Sequence, residues 1–100
     1  MAFAQNTDKE KVASDTKALN IPAGYSKNLH WNLLLDSIGS NGSSINWKSS
    51  KPEYISNDGK LLKRSPRNGK KIKVTMTATV TSGRAKTKKT FDVLVAYTDQ

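Results

Sequence analysis

The sequence contains no cysteine and a single histidine, His30. Without cysteine there are no disulfides, no thiolate-ligated zinc or iron–sulfur centres and no thiol catalysis. One histidine excludes a multi-histidine metal site. No apolar run approaches the ~20 residues of a membrane span, so no membrane insertion is expected. Hydrophobic residues make up 35% of the chain, against ~45–50% (glycine included) in an average globular protein. That suffices for one small core and leaves little room for a deep cofactor cavity, so no cofactor is expected. With 100 residues, the chain has the length of one domain and is too short for two.

Acidic residues are also scarce, and unevenly so. Residues 1–40 balance Lys9, Lys11, Lys17 and Lys27 against Asp8, Glu10, Asp15 and Asp36, so the whole excess of +9 lies in residues 41–100. No acid occurs between Asp58 and Asp92. Such a stretch attracts polyanions at long range, less so as salt rises. Nucleic acid, anionic lipid and a bacterial wall polymer are the candidate classes.

Residues 1–6 carry no charged region followed by an apolar stretch, so they hold no intact signal peptide. Ala2-Phe3-Ala4 has the form of a cleavage site, and the segment reads as a disordered N-terminal remnant. Thr7-Asp8-Lys9-Glu10 fits a capping box, a hydroxyl at the N-cap with a Glu three residues on. A short helix follows, with Val12, Thr16 and Leu19 at helical spacing and Asn20 to Gly24 as its stop. Its stripe is too thin for stability alone, so it must dock on the rest of the domain.

After Gly24 the period changes to two. Leu29, Trp31, Leu33 and Leu35 fall on one side, with His30 on the other, as in a half-buried strand. A Gly/Ser/Asn loop leads to a second strand with Ile45 and Trp47 inward. Asn57-Asp58-Gly59 between short apolar runs signals a tight turn. The basic loop KRSPRNGKK spans residues 63–71. Then Ile72, Val74, Met76, Ala78 and Val80 alternate with Lys73 and a row of threonines in the clearest strand of the chain. Ser82-Gly83-Arg84 turns it back, and Phe91, Val93, Val95 and Tyr97 face inward on the return. Pairing Val80 with Ala85 sets Lys73 across from Asp92 and turns Lys89 inward beside Met76. Lys89 must then snorkel past the edge, or a bulge must shift the register. The sum is one short N-terminal helix and about six or seven short strands, the pattern of a β-sandwich. The domain spans residues 7–97, with 98–100 as a tail.

The stretch NLLLDSIGSNGSSINWKSSKP, residues 32–52, resembles the N-L-x-L-P-x-x-G-x-x-G-S-x-I-x-W-x-S-S-x-P pattern of bacterial immunoglobulin-like domains, in particular the atrophied bacterial Ig subgroup. Ile55 to Gly59, the VTMTATV strand at residues 74–80 and KTFDVLV at 89–95 are similar to further stretches of that family. Asp36 stands where the family usually has Pro, and the basic loop carries more charge than its family counterpart. The resemblance implies an all-β, immunoglobulin-like β-sandwich of about seven short strands with a short N-terminal α-helix, used as an accessory module of secreted or surface bacterial proteins, often beside hydrolase or adhesion domains and so associated with carbohydrate. It implies no catalytic residue.

The individual residues carry little chemistry. His30 has no nucleophile or orienting group near it in sequence, and no catalytic or metal-binding residue is expected. The glycines are spaced as turn residues and form no phosphate-cradling loop. The carboxylates are too scattered for a calcium loop. Trp47, Ile45, Val74, Phe91 and Val93 are expected in the core, and Trp31 also by its parity; if exposed, Trp31 becomes the best aromatic platform in the chain. Lys63, Arg64, Arg67, Lys70 and Lys71 form a weak candidate polyanion contact, with Pro66 and Gly69 holding them off the body of the domain. The basic stretch lacks the aromatic interleaving of nucleic-acid modules, which disfavours nucleic acid. The expected role is non-enzymatic: an extracellular or cell-surface module that spaces or supports neighbouring domains of a larger parent protein, or binds a glycan or anionic wall polymer weakly. The alternative is a basic protein that binds nucleic acid or another polyanion.

Overall fold

The computed structural model describes residues 7–21 and 23–98. Residues 1–6, read above as a remnant, and the last two residues of the expected tail lie outside the described residues. Helix α1 (Asp8–Ala18) is followed by the short α2 (Ala23–Lys27) and by three strands, β1 (Ser44–Ser49), β2 (Lys73–Ser82) and β3 (Ala85–Leu94). The strands form one antiparallel sheet in the order β1-β2-β3.

Seven strands were expected, and among the described residues three reach strand length. Other segments marked by turn or alternation signals pair at single points: Leu29 with Val95, Ile38 with Ser44, Ile55 with Leu61, and Ser65 with Tyr97. Polar side chains bond backbone donors in and beside these segments. Asn32 Oδ1 accepts from Leu61 N (2.8 Å), Asn57 Oδ1 from Ser49 N (2.8 Å) and Ser65 Oγ from Ile72 N (2.7 Å). Such side-chain bonds compete with ladder pairing for the same backbone groups. The second helix was not anticipated either, because residues 20–24 read only as a stop.

The hairpin register also differs from expectation. Gly83-Arg84 forms a two-residue turn between Ser82 and Ala85, and Gly83 takes φ of 56° as such hairpin turns require. This sets Thr75 across from Asp92, and Thr75 Oγ1 donates to Asp92 Oδ1 at 2.9 Å. Val95 N donates to Ile72 O at 2.9 Å in the same register. Lys73, expected opposite Asp92, is exposed. Lys89 moves from Met76 to the position across from Ala78.

The chain resolves into two compact units, each drawing on parts of all three strands. The first comprises residues 7–19, Asp36–Asn46 and Ala78–Lys89. Its buried apolar residues are Val12, Leu19, Ile45, Ala78 and Val80. The capping box of α1 is complete: Glu10 N donates to Thr7 Oγ1, and Thr7 N donates to Glu10 Oε1. The helix docks through polar contacts more than through its thin apolar stripe. Asp15, only 3% exposed, accepts from Asn41 N (2.9 Å), Asn41 Nδ2 (3.0 Å) and Ser43 N (3.1 Å). Burial pushes the Asp15 carboxyl up, but the bonds from Asn41 and Ser43 outweigh it and hold it below the ordinary carboxylate value. Gly39 lies so close to this carboxyl that a Cβ there would sit 2.3 Å from Asp15 Cγ. At the other end of the helix, Lys89 Nζ donates to the carbonyls of Thr16 (3.2 Å) and Leu19 (2.6 Å). Lys89 is inward as its parity requires, and its charge is neutralised at a helix C-terminus, where unpaired carbonyls and the negative dipole end favour a cation.

The second unit comprises Asn20–Leu35, Trp47–Thr77 and residues 90–98. Its core holds Ile21, Leu29, Leu33, Ile55, Val74, Met76, Val93 and Val95. Trp47 and Phe91 are half-buried and pack against this cluster, their ring centroids 5.6 Å apart. The anticipated Asn57-Asp58-Gly59 turn is present, with Ser56 N donating to Lys60 O at 2.9 Å and Gly59 at φ of 93°.

Candidate functional site

The feature of the second unit with most chemical content is an arch at residues 30–32. Leu29 is fully buried and tied to the end of β3, its N–H donating to Leu94 O (2.8 Å) and its carbonyl accepting from Ala96 N (2.8 Å). Leu33 is buried and tied instead to the tight turn, its N–H donating to Gly59 O at 2.8 Å. The chain passes from one anchor to the other and bends at Trp31. The pleated strand expected over residues 29–35 does not form, and Trp31 is 71% exposed. This corrects the expectation that Trp31 shares the core face of Leu29 and Leu33.

Arg64 holds the arch from the adjoining loop, with Nη2 donating to His30 O at 3.0 Å. His30 Nδ1 lies 3.1 Å from Asn28 O, an arrangement in which Nδ1 carries the proton, since a carbonyl only accepts. Trp31, Leu62, Lys63 and Arg64 border a cleft of about 320 Å³ whose wall also includes His30 and Asn32. Leu62 is 61% exposed. An exposed indole beside two cationic side chains can stack on a sugar ring or other flat apolar face, while the cations meet negative groups at its edge.

The basic loop is less free than its composition suggested. Ser65, its third residue, is fully buried. Its hydroxyl donates to Val95 O (2.9 Å) and accepts from Ile72 N, its N–H donates to Ala96 O (2.9 Å), and its carbonyl accepts from Thr98 N (2.9 Å). Three of the five cations lie against the protein's own groups. Lys63 Nζ sits 5.3 Å from the Tyr54 ring centroid and Lys71 Nζ 5.6 Å from that of Tyr97. Lys71 Nζ also donates to Asn28 Oδ1 at 2.7 Å, and Arg64 binds the arch. Arg67 and Lys70 are exposed at the loop's tip. The expectation that Pro66 and Gly69 hold all five charges off the domain therefore does not apply. It is the buried Ser65 that fixes the loop.

Among the described residues no group of three His, Asp or Glu gathers as a metal site. No helix among them is long and apolar enough to cross a membrane.

The described residues form a mostly-β domain with one antiparallel sheet and a capped leading helix. The chain belongs to the atrophied bacterial Ig domain family, whose pattern matches residues 12–98. Domains of this bacterial Ig-like kind are often found in extracellular or surface proteins. No match was found among curated proteins.

Proposed function

We infer that this domain is a non-catalytic accessory module of a bacterial extracellular or cell-surface protein. It spaces or supports neighbouring domains and makes weak contact with a glycan or wall polymer through the Trp31 arch. Membership of the Ig-like family supports the accessory role. One observation carries the contact: Trp31 stands 71% exposed on a backbone pinned at both sides by buried leucines. Placing a large indole in water forgoes its burial energy, and its fixed base gives a ligand a preorganised surface.

The test is a screen of glycans and wall polymers against the wild type and Trp31→Ala, read by the change in indole fluorescence and by calorimetry. Loss of binding in the folded variant supports the reading. Undiminished binding by the variant removes the arch from it. The net charge of +9 favours a second reading, that of a diffuse polyanion binder. That reading requires heparin, teichoic acid and DNA to bind alike, with nucleic-acid affinity falling at a log–log slope of roughly −0.7 to −0.9 per phosphate as salt rises. Selective binding of one polymer that persists at physiological salt rules it out.

A further inference from the structure

The first unit has an open sheet face with a charged rim. On β2, Ala78 and Val80 are fully buried. On the neighbouring β3, Ala85 and Thr87 turn the same way but are only half-buried. The gap between this part of β3 and α1 is a cleft of about 970 Å³. Its walls are small: Ala13 and Thr16 on the helix, Ala85 and Thr87 on the strand. Lys9 and Lys17 stand on its helix side and Arg84 and Lys86 on its hairpin side, all four exposed. Asp8, the one acid among its lining residues, already accepts from Ser82 Oγ at 2.8 Å.

We propose that this cleft docks an extended acidic polypeptide segment of another protein. The charge pattern selects the partner: four exposed cations flank the cleft, and the one carboxylate among its described lining residues is engaged. A second copy of this chain would bring a like charge of +9 and be repelled. Among the described residues no aromatic side chain lines the cleft, so they offer no stacking surface for a sugar. The small walls leave room for a backbone with alternating side chains, and the open length of β3 from Ala85 to Lys89 matches about five extended residues at ~3.3 Å each. Such a segment lays its small or β-branched side chains on Ala85 and Thr87 and directs its carboxylates to the two cationic sides. This site is independent of the Trp31 arch.

The experiment measures binding of a fluorescently labelled decapeptide alternating Glu with Val to the intact chain, by anisotropy at an ionic strength of about 0.15 M. Three variants separate a docking site from a diffuse field. Arg84→Glu/Lys86→Glu reverses the charge beside the cleft. Arg67→Glu/Lys70→Glu makes the same change in net charge on the basic loop. Ala13→Phe, at an exposed helix position, fills the cleft without altering charge. The proposal expects saturable binding, weakened about tenfold by the first and third variants and changed less than about twofold by the second. Equal weakening by both charge reversals, undiminished binding to Ala13→Phe, or no saturation up to about 1 mM peptide overturns it. So does a result in which the cleft variants weaken heparin binding and leave the peptide untouched.

Discussion

The ammonium group of Lys89 closes the end of helix α1, donating to the backbone carbonyl of Leu19 at 2.6 Å and to that of Thr16 at 3.2 Å. A lysine on the inner face of a strand is costly unless its charge is met. Here the strand supplies the cation and the helix the partial negative charge, so each element removes the other's unsatisfied group.

Lys89→Met keeps the aliphatic stem and removes the charge. It should destabilise the domain by about 1–2 kcal/mol, the scale of a charged hydrogen bond at a helix terminus. Urea unfolding gives the loss, and hydrogen exchange should show it concentrated in α1. Uniform loss of protection across β2 and β3 as well would mean that the contact does not act through the helix.

Asp15→Asn removes a buried carboxylate that accepts from three donors. The expected cost is about 1–3 kcal/mol near neutral pH. The folded-state pKa lies below the ordinary value of 3.8, so this stabilisation is fully present above that value and is lost as pH falls through the lower, folded one. Stability curves of wild type and variant should therefore converge under acid. Curves that stay parallel to the lowest pH at which the protein folds would show that the carboxylate charge is not the source of the difference.

The two tryptophans should separate cleanly. Trp47→Ala removes a half-buried ring packed on Phe91 and should cost about 3 kcal/mol, near the lower end for large aromatic-to-alanine changes. Trp31→Ala should stay within about 0.5 kcal/mol of wild type, as exposed positions do. Indole emission follows the same division, with the red-shifted, readily quenched component disappearing in Trp31→Ala. A thermal melt of Trp47→Ala within a few degrees of wild type would place that ring outside the core.

Ser65→Ala should be more disruptive than its size suggests. The lost hydroxyl leaves Ile72 N without its acceptor, at a cost of about 1–3 kcal/mol for a buried orphaned donor. Ser65→Thr retains the hydroxyl but adds a methyl in a fully buried position, so it tests space instead of bonding. If Ser65→Ala melts as wild type does, the loop is held by its backbone bonds alone.

The parts that were legible in the sequence depend on periodicity and local chemistry. Thr7 and Glu10 announce the start of α1 because a capping box needs only neighbouring residues. The alternation from Ile72 to Val80 marks one face of β2 whatever its partner. The pairing of β2 with β3 differs from the expected one by two residues, and a two-residue slip preserves parity. The inward faces were therefore right while the cross-strand partners were wrong. Trp31 fails for a related reason. Leu29 and Leu33 have the same parity in a strand and at the two feet of an arch, so their burial does not distinguish the two, and the residue between them does. Nor does composition tell Ser65 from any other loop serine. Its role depends on Val95 and Ala96, some thirty residues away, and no local signal carries that.

The polar docking of α1 also orders events in time. Thr16 and Lys89 are 73 residues apart in sequence, and Asp15 and Asn41 are 26 apart. A helix of 11 residues has little persistence in water by itself. During synthesis it emerges ahead of the strands it packs on, and the lysine that closes its end follows only later. The β2–β3 hairpin, closed by two residues, forms through local contacts. The helix contacts require most of the chain to be closed into a loop beforehand. The nascent domain thus acquires its first element last, and until Lys89 has been made and positioned the carbonyls of α1 remain bonded to water.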